Sequence, residues 1–213
     1  MNNTILNAYE TINMDTYARR DLLEFYKTFD RPCFNILCKE NAKKLYRYSK
    51  LHKKSFFLLS CYAIAKAVNE TPQLRERLVC DKAVRYERVD ICTPIAISDS
   101  EFVEVILPYF DNFAAFEESA KKIMSQAKAN GKASCQENTE DRVLISCVPW
   151  LHFEALTLTE LDTKQVMPIV TYGKMEKGLI PINLKASHYF VDGMHVAKFF
   201  ERVRFNFANP KSL

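Results

Sequence analysis

The stretch from Ile180 to Phe207 constrains the fold more than any other. Ile180, Ile182, Leu184 and Ala186 alternate with Pro181, Asn183 and Lys185, and His188 shares the apolar parity, so a strand here carries the imidazole on its buried face. Past Ser187-His188-Tyr189-Phe190-Val191-Asp192-Gly193-Met194-His195 the period changes: Val196, Phe199, Phe200, Val203 and Phe207 recur at helical spacing. Gly193 stands at the junction, where backbone freedom is most useful. The expected order is strand, tight turn, helix.

An imidazole at the end of a buried strand needs little adjustment from an ordinary pKa near ~6.5 to act as a base at neutral pH. His188 is the candidate base. Asp192, four residues on, either lies beside the ring or turns away to meet a cation. The motif fits both, and taken alone it fits still better a core histidine satisfied by a backbone carbonyl.

With 213 residues, 48% of them hydrophobic, the chain can bury one sizeable core, and a single domain over residues 1–213 is expected. A net charge of +4 is too mild to call for nucleic acid. The seven cysteines (33, 38, 61, 80, 92, 135 and 147) form no C-x-x-C pair and are odd in number, which suits a reducing compartment. Residues 1–13 lack a basic segment followed by an apolar core, so no secretory signal is read there. The most apolar window, Phe56 to Val68, is too short to span a bilayer and contains Lys66. A cytoplasmic protein without membrane or nucleic-acid partners is expected.

Along the chain, residues 1–13 read as irregular, and Tyr17 to Tyr26 as a short amphipathic helix whose Arg19-Arg20-Asp21 run is by default a solvated face. Pro32 to Cys38 reads as a strand, Glu40 to Lys54 as a helix with a basic outer face, and Phe56 to Val68 as a core helix. Strands are expected at Leu78 to Val89, Asp90 to Ile97 and Phe102 to Leu107. A helix capped by Asp111 and ended by Gly131 follows, then a polar loop over Lys132 to Asp141. Val143 to Trp150, Phe153 to Thr159, Val166 to Thr171 and Leu179 to His188 read as further strands. Without strict β-α-β alternation, this is an α+β two-layer sandwich, its helices packed on one face of a mixed, mostly antiparallel sheet.

Several short segments then fall into one pattern. Ser146-Cys147-Val148-Pro149-Trp150, Thr171-Tyr172-Gly173-Lys174 and His188 to Gly193 resemble the S-x-x-P-W, T-x-G-K and H-x-x-x-D-G segments of type A chloramphenicol acetyltransferases. Tyr17-Ala18-Arg19 through Tyr26, Pro32-Cys33, and Ala65-Lys66-Ala67-Val68-Asn69 through Leu74-Arg75 are similar to further family segments, in the same order and spacing. The resemblance covers nearly the whole chain. Departures are Ser187 where the family has a second histidine, Tyr17 in place of a tryptophan, Met175 in place of a frequent aromatic, and one extra residue between Tyr26 and Cys33.

The resemblance implies a homotrimer with active sites at subunit boundaries, acetyl-CoA as cosubstrate, a small-molecule acceptor, and antibiotic resistance as the role. It implies His188 as the base acting on the acceptor hydroxyl, Ser146 as hydrogen-bond donor to the oxyanion, and Thr171 as an assistant through an ordered water. Asp192 and Arg19 are implied as a structural ion pair. Trp150, Lys174 and Lys54 are implied on the coenzyme side, and Tyr26, Cys33 and Leu158 in the acceptor pocket.

Each of these residues also has a plainer reading. Ser146 could cap a strand end, Thr171 could be β-branched packing, and Tyr26, Cys33 and Leu158 could be core. A Cys147–His nucleophile is disfavoured because strand parity sends Cys147 to the face opposite Ser146. No ligand spacing supports a metal site among His152, His188, His195 and the cysteines. His195 reads as a helix residue and His52 as exposed. The alternatives to acetylation of chloramphenicol are a coenzyme A-dependent acyltransferase with another hydroxyl or amine acceptor, and a non-catalytic trimeric binding protein.

Overall fold

A computed structural model describes residues 7–131, 140–158 and 166–213. In chain order its elements are β1 (Tyr9–Thr11), α1 (Arg20–Tyr26), β2 (Cys33–Asn41), α2 (Lys43–Leu51), α3 (Phe56–Asn69), β3 (Glu76–Val79), β4 (Lys82–Tyr86), β5 (Asp90–Ala96), β6 (Phe102–Leu107), α4 (Phe113–Asn130), β7 (Arg142–Val148), β8 (Ile169–Gly173), β9 (Leu179–Ser187) and α5 (Gly193–Ala208). Six strands form one sheet in the order β2-β9-β8-β7-β5-β6. β5, β7 and β8 are mutually parallel, and the other neighbours are antiparallel. The fold is an α+β sandwich with a mixed sheet, as its sequence pattern implies.

Alternation along the strands gives this sheet two different faces. Val143 and Ile145, Val170 and Tyr172, Ile182, Leu184 and Ala186 are buried on one of them. Tyr172 Oη lies 3.5 Å from Cys61 Sγ and bonds the Phe57 carbonyl, so this is the face that α3 covers. α3 is apolar around nearly its whole surface and also packs on α5, where Asn206 Nδ2 donates to the Ala63 carbonyl at 2.9 Å. The opposite face carries Ser146, Thr171, Asn183, Lys185 and Ser187, and all but Ser146 are nearly inaccessible.

Several sequence expectations are corrected. Residues expected to be irregular contain β1, which joins β4 and β3 in a second, three-stranded sheet. The run from Leu78 to Val89 is a hairpin instead of one strand: Cys80 and Asp81 turn with φ of 49° and 62°, the left-handed pair a two-residue turn demands. Asn112, not Asp111, caps α4, accepting from the Ala115 N–H at 3.0 Å. Glu40 belongs to β2, buried and held by Arg204 Nε at 3.0 and 3.1 Å, so α2 starts later than its basic pattern suggests. Residues 153–158 form no strand, and Thr159 lies outside the described residues, as do Cys135 and the rest of 132–139. Gly193 is the first residue of α5, has no positive φ, and leaves open space where a side chain would stand. A glycine that the fold does need is Gly173, where a Cβ would meet the Leu151 carbonyl oxygen at 2.5 Å.

Candidate active site

β9 delivers His188 to the end of the sheet, and the following turn fixes it there. The His188 N–H donates to the Pro32 carbonyl at 2.9 Å, and the Val191 N–H to the Ser187 carbonyl at 3.0 Å. Asp192 then caps α5, accepting from the N–H groups of Met194 at 3.0 Å and His195 at 3.4 Å. His195 Nδ1 returns the contact by accepting the Asp192 N–H at 3.1 Å. This is a capping box with histidine in the place usually held by glutamate or glutamine.

Asp192 turns away from the imidazole. Its Oδ2 lies 2.5 Å from Arg19 Nη1, and Arg19 Nη2 donates to the His188 carbonyl at 3.3 Å. One buried guanidinium thus ties both ends of the turn, against the default reading of Arg19 as solvated. Burial pushes the Asp192 carboxyl up, but His195, Arg19 and the capping N–H more than offset it and hold it below the ordinary value.

The His188 ring is half-buried between two aromatic rings. Tyr26 stacks at 4.6 Å with an interplanar angle of 8°, and Phe34 at 4.0 Å and 21°. Burial draws the imidazole pKa below its ordinary value and Arg19 adds to this, while the Val191 backbone and Asp192 oppose. At neutral pH the ring is an uncharged base. Its Nδ1 is buried, so Nε2 is the nitrogen left to act as the base. Cys33 faces Ser187 in the β2–β9 register, half-buried on the sheet face opposite Phe34.

Ser146 and Thr171 form a second group. They are direct partners in the β7–β8 register, and Thr171 in turn faces Asn183 on β9. Thr171 Oγ1 is buried without a hydrogen-bond partner among the described residues. Ser146 and Trp150 line a cavity of about 580 Å³ together with Phe57, Phe102, Cys147 and Lys128. Lys174 is exposed and pairs with Glu176 at 3.2 Å, while its backbone N–H bonds the Leu151 carbonyl at 2.7 Å, pinning the segment after Trp150 to β8. The same junction is where Gly173 permits close backbone approach.

The two groups do not meet within one chain. From Asn183 to His188 the chain advances five residues along β9, roughly 16 Å at the strand rise of ~3.3 Å per residue. They also belong to opposite faces, since Phe34 lies on the helix-covered side by register and Thr171 on the other. Of the remaining candidates, Lys54 lies 2.6 Å from the buried Glu117 and over the Phe113 ring, and Leu158 is half-buried after Trp150 with no described contact to His188. Sequence reasoning missed Phe34 and Asn183. The signal for both is the strand register, which a single strand's periodicity does not contain.

Other chemistry finds little support. Burial pushes the Cys61 thiol up to about 12 and raises that of Cys147, so neither is a ready thiolate. Among the described residues no group of three or more His, Cys, Asp or Glu side chains is arranged to hold a metal ion, and no helix is long and apolar enough to cross a membrane.

This α+β sandwich has the coenzyme A-dependent acyltransferase fold. A probable dihydrolipoamide acetyltransferase from Listeria monocytogenes shares that fold, with a TM-score of 0.68 at 17% identity over 94% of both chains. The family model described as chloramphenicol acetyltransferase matches residues 7–204, and the chain belongs to that family. Chloramphenicol acetyltransferase 3 of Escherichia coli is 27% identical over 204 residues, covering 92% of this chain and 95% of the relative. A solved chloramphenicol acetyltransferase structure superposes with a TM-score of 0.83 at 25% identity, covering 94% of this chain and 99% of that one. The protein is an acyltransferase.

Proposed function

We propose that the protein transfers the acetyl group of acetyl-CoA to a hydroxyl of chloramphenicol, with residues 1–213 acting as one acyltransferase domain. The observation that carries this reading is the His188 imidazole, half-buried between two rings, its pKa drawn down by burial and its Nδ1 inaccessible. Nε2 takes the proton of the acceptor hydroxyl as its oxygen attacks the thioester carbonyl. The oxyanion that forms accepts a hydrogen bond from Ser146 Oγ, with Thr171 assisting through water. Collapse breaks the carbon–sulfur bond, the imidazolium returns its proton to the departing thiolate, and the acetyl ester and coenzyme A leave.

Because His188 lies five residues along the chain from Asn183, the register partner of Thr171, and on the other face of the sheet, the reading requires two copies, His188 of one meeting the hydroxyls of the next. A homotrimer supplies such boundaries in a closed ring. Trp150 and Lys174 are assigned to the coenzyme, one as an aromatic wall and one as a cation for a phosphate. Lys54 contributes less, since it is held by Glu117. Tyr26, Cys33 and Leu158 are assigned to the acceptor, and resistance to the antibiotic in the cytoplasm is the role.

A second reading keeps the machinery and changes the acceptor. It is favoured by the aromatic cluster of Phe25, Tyr26 and Phe29, packed at centroid distances of 5.0 to 5.3 Å beside the extra residue before Cys33. Thiol release from acetyl-CoA with chloramphenicol, alongside a His188→Ala control, tests the first reading. Turnover lost in the control supports it. No turnover despite acetyl-CoA binding transfers the assignment to another small alcohol or amine.

A further inference from the structure

A general base must be oriented as well as uncharged. Usually the second ring nitrogen of a histidine does this by hydrogen bonding to a carboxylate or carbonyl. Here the nearest carboxylate, Asp192, is committed to Arg19 and to the cap of α5, and Nδ1 is buried without a well-formed hydrogen bond. Besides the Val191 backbone, which favours the charged ring, what holds the imidazole is ring against ring on both faces.

The closer of the two rings is Phe34, and it belongs to a different element from Tyr26. Phe34 faces Ala186 in the β2–β9 register, which aims its side chain along the face from which His188 emerges. β2 is pinned there because the His188 N–H bonds the Pro32 carbonyl. A rigid strand therefore supports one side of the imidazole, and the short helix α1 supports the other through Tyr26.

We propose that Phe34 is a positioning residue for the acyl-transfer base: by stacking on His188 it fixes the ring torsion and leaves the Nε2 edge to the acceptor. This rests on His188 being the base of the proposed reaction. Phe34 also excludes water from one face of the ring, which contributes to the burial that draws the imidazole pKa down. The charged groups near the ring, Arg19 ahead of α1 and Asp192 ahead of α5, are untouched by changes at Phe34.

The test compares Phe34→Ala, Phe34→Leu and Phe34→Tyr in the full-length protein, reading kcat and acceptor KM, and the His188 ring titration by NMR with His188→Ala identifying the signal. Phe34→Ala and Phe34→Leu are expected to lower kcat by about ten- to a hundredfold, with acceptor KM little changed, as misplacement of a reacting group does. Both should raise the His188 midpoint toward its ordinary value, while Phe34→Tyr, which keeps the ring, restores both readouts. Should Phe34→Ala fail to fold, Phe34→Leu, which keeps apolar bulk without a ring, decides. Wild-type kcat and an unmoved midpoint in Phe34→Leu would overturn the proposal. If chloramphenicol is not acetylated at all, the titration alone decides: a raised midpoint supports the positioning role although the acceptor is wrong, and an unmoved one overturns it.

Discussion

His188 serves as a base only when uncharged, and its surroundings favour that form. Burial between Tyr26 and Phe34 is the main cause, so its folded pKa lies below the ordinary ~6.5. The sign follows: the competent neutral ring is present above this pKa and is lost as pH falls through it. The acid limb of kcat/KM against pH is therefore expected below ~6.5, and a limb at or above that value would contradict the burial argument. At this scale much of the site is legible in the sequence. The parity of Ile180 to Ala186 puts His188 on the apolar face, and S-x-x-P-W and T-x-G-K single out Ser146 and Thr171. Phe34 and Asn183 are not legible, because each depends on a neighbouring strand's register. Arg19 misleads for a similar reason: on its own helix it looks solvated, and its partner is 173 residues away.

At the scale of elements, the turn between β9 and α5 is held by two separable interactions of one carboxylate. Asp192 caps α5, and it pairs with the buried Arg19. Asp192→Asn keeps a good capping acceptor and loses the charge, whereas Asp192→Ala loses both. Removing a cap costs about 1 kcal/mol, or roughly 2–4 °C of melting temperature for a chain of this size. Asp192→Ala should therefore melt lower than Asp192→Asn by about that amount. The folded carboxyl pKa is depressed, so its contribution to stability is present above the unfolded pKa near ~3.9 and is lost as pH falls through the lower folded value. Melting curves from pH 7 to pH 3 should accordingly fall more steeply for the wild type than for Asp192→Asn; parallel curves would sink this assignment. The pattern reveals α5 by its single apolar stripe, β9 by its apolar alternation and α3 by an almost unbroken apolar run. It fails at the Cys80–Asp81 turn, which lacks the glycine or asparagine that usually marks such geometry, and at residues 153–158, where polar alternation suggests a strand that does not pair.

For the whole molecule, the proposed mechanism raises the question of how His188 as base and Ser146 as oxyanion donor, on opposite faces of one sheet, come to act on one bond. In the proposed trimer a closed ring of copies would answer it, every boundary pairing His188 of one chain with Ser146 and Thr171 of the next. No sequence pattern in a single chain points to that arrangement; the separation of the two groups along β9 motivates it. The most direct measurement mixes His188→Ala and Ser146→Ala chains in equal amounts, dissociates and reassembles them, and assays acetyl transfer. Each variant alone should be nearly inactive, with Ser146→Ala down by about 10²–10³. Random reassembly of trimers leaves one intact boundary in every hybrid, so about a quarter of wild-type activity is expected to return. Hybrids that assemble and stay as inactive as their parents would show that base and donor belong to the same chain, and the account would be wrong.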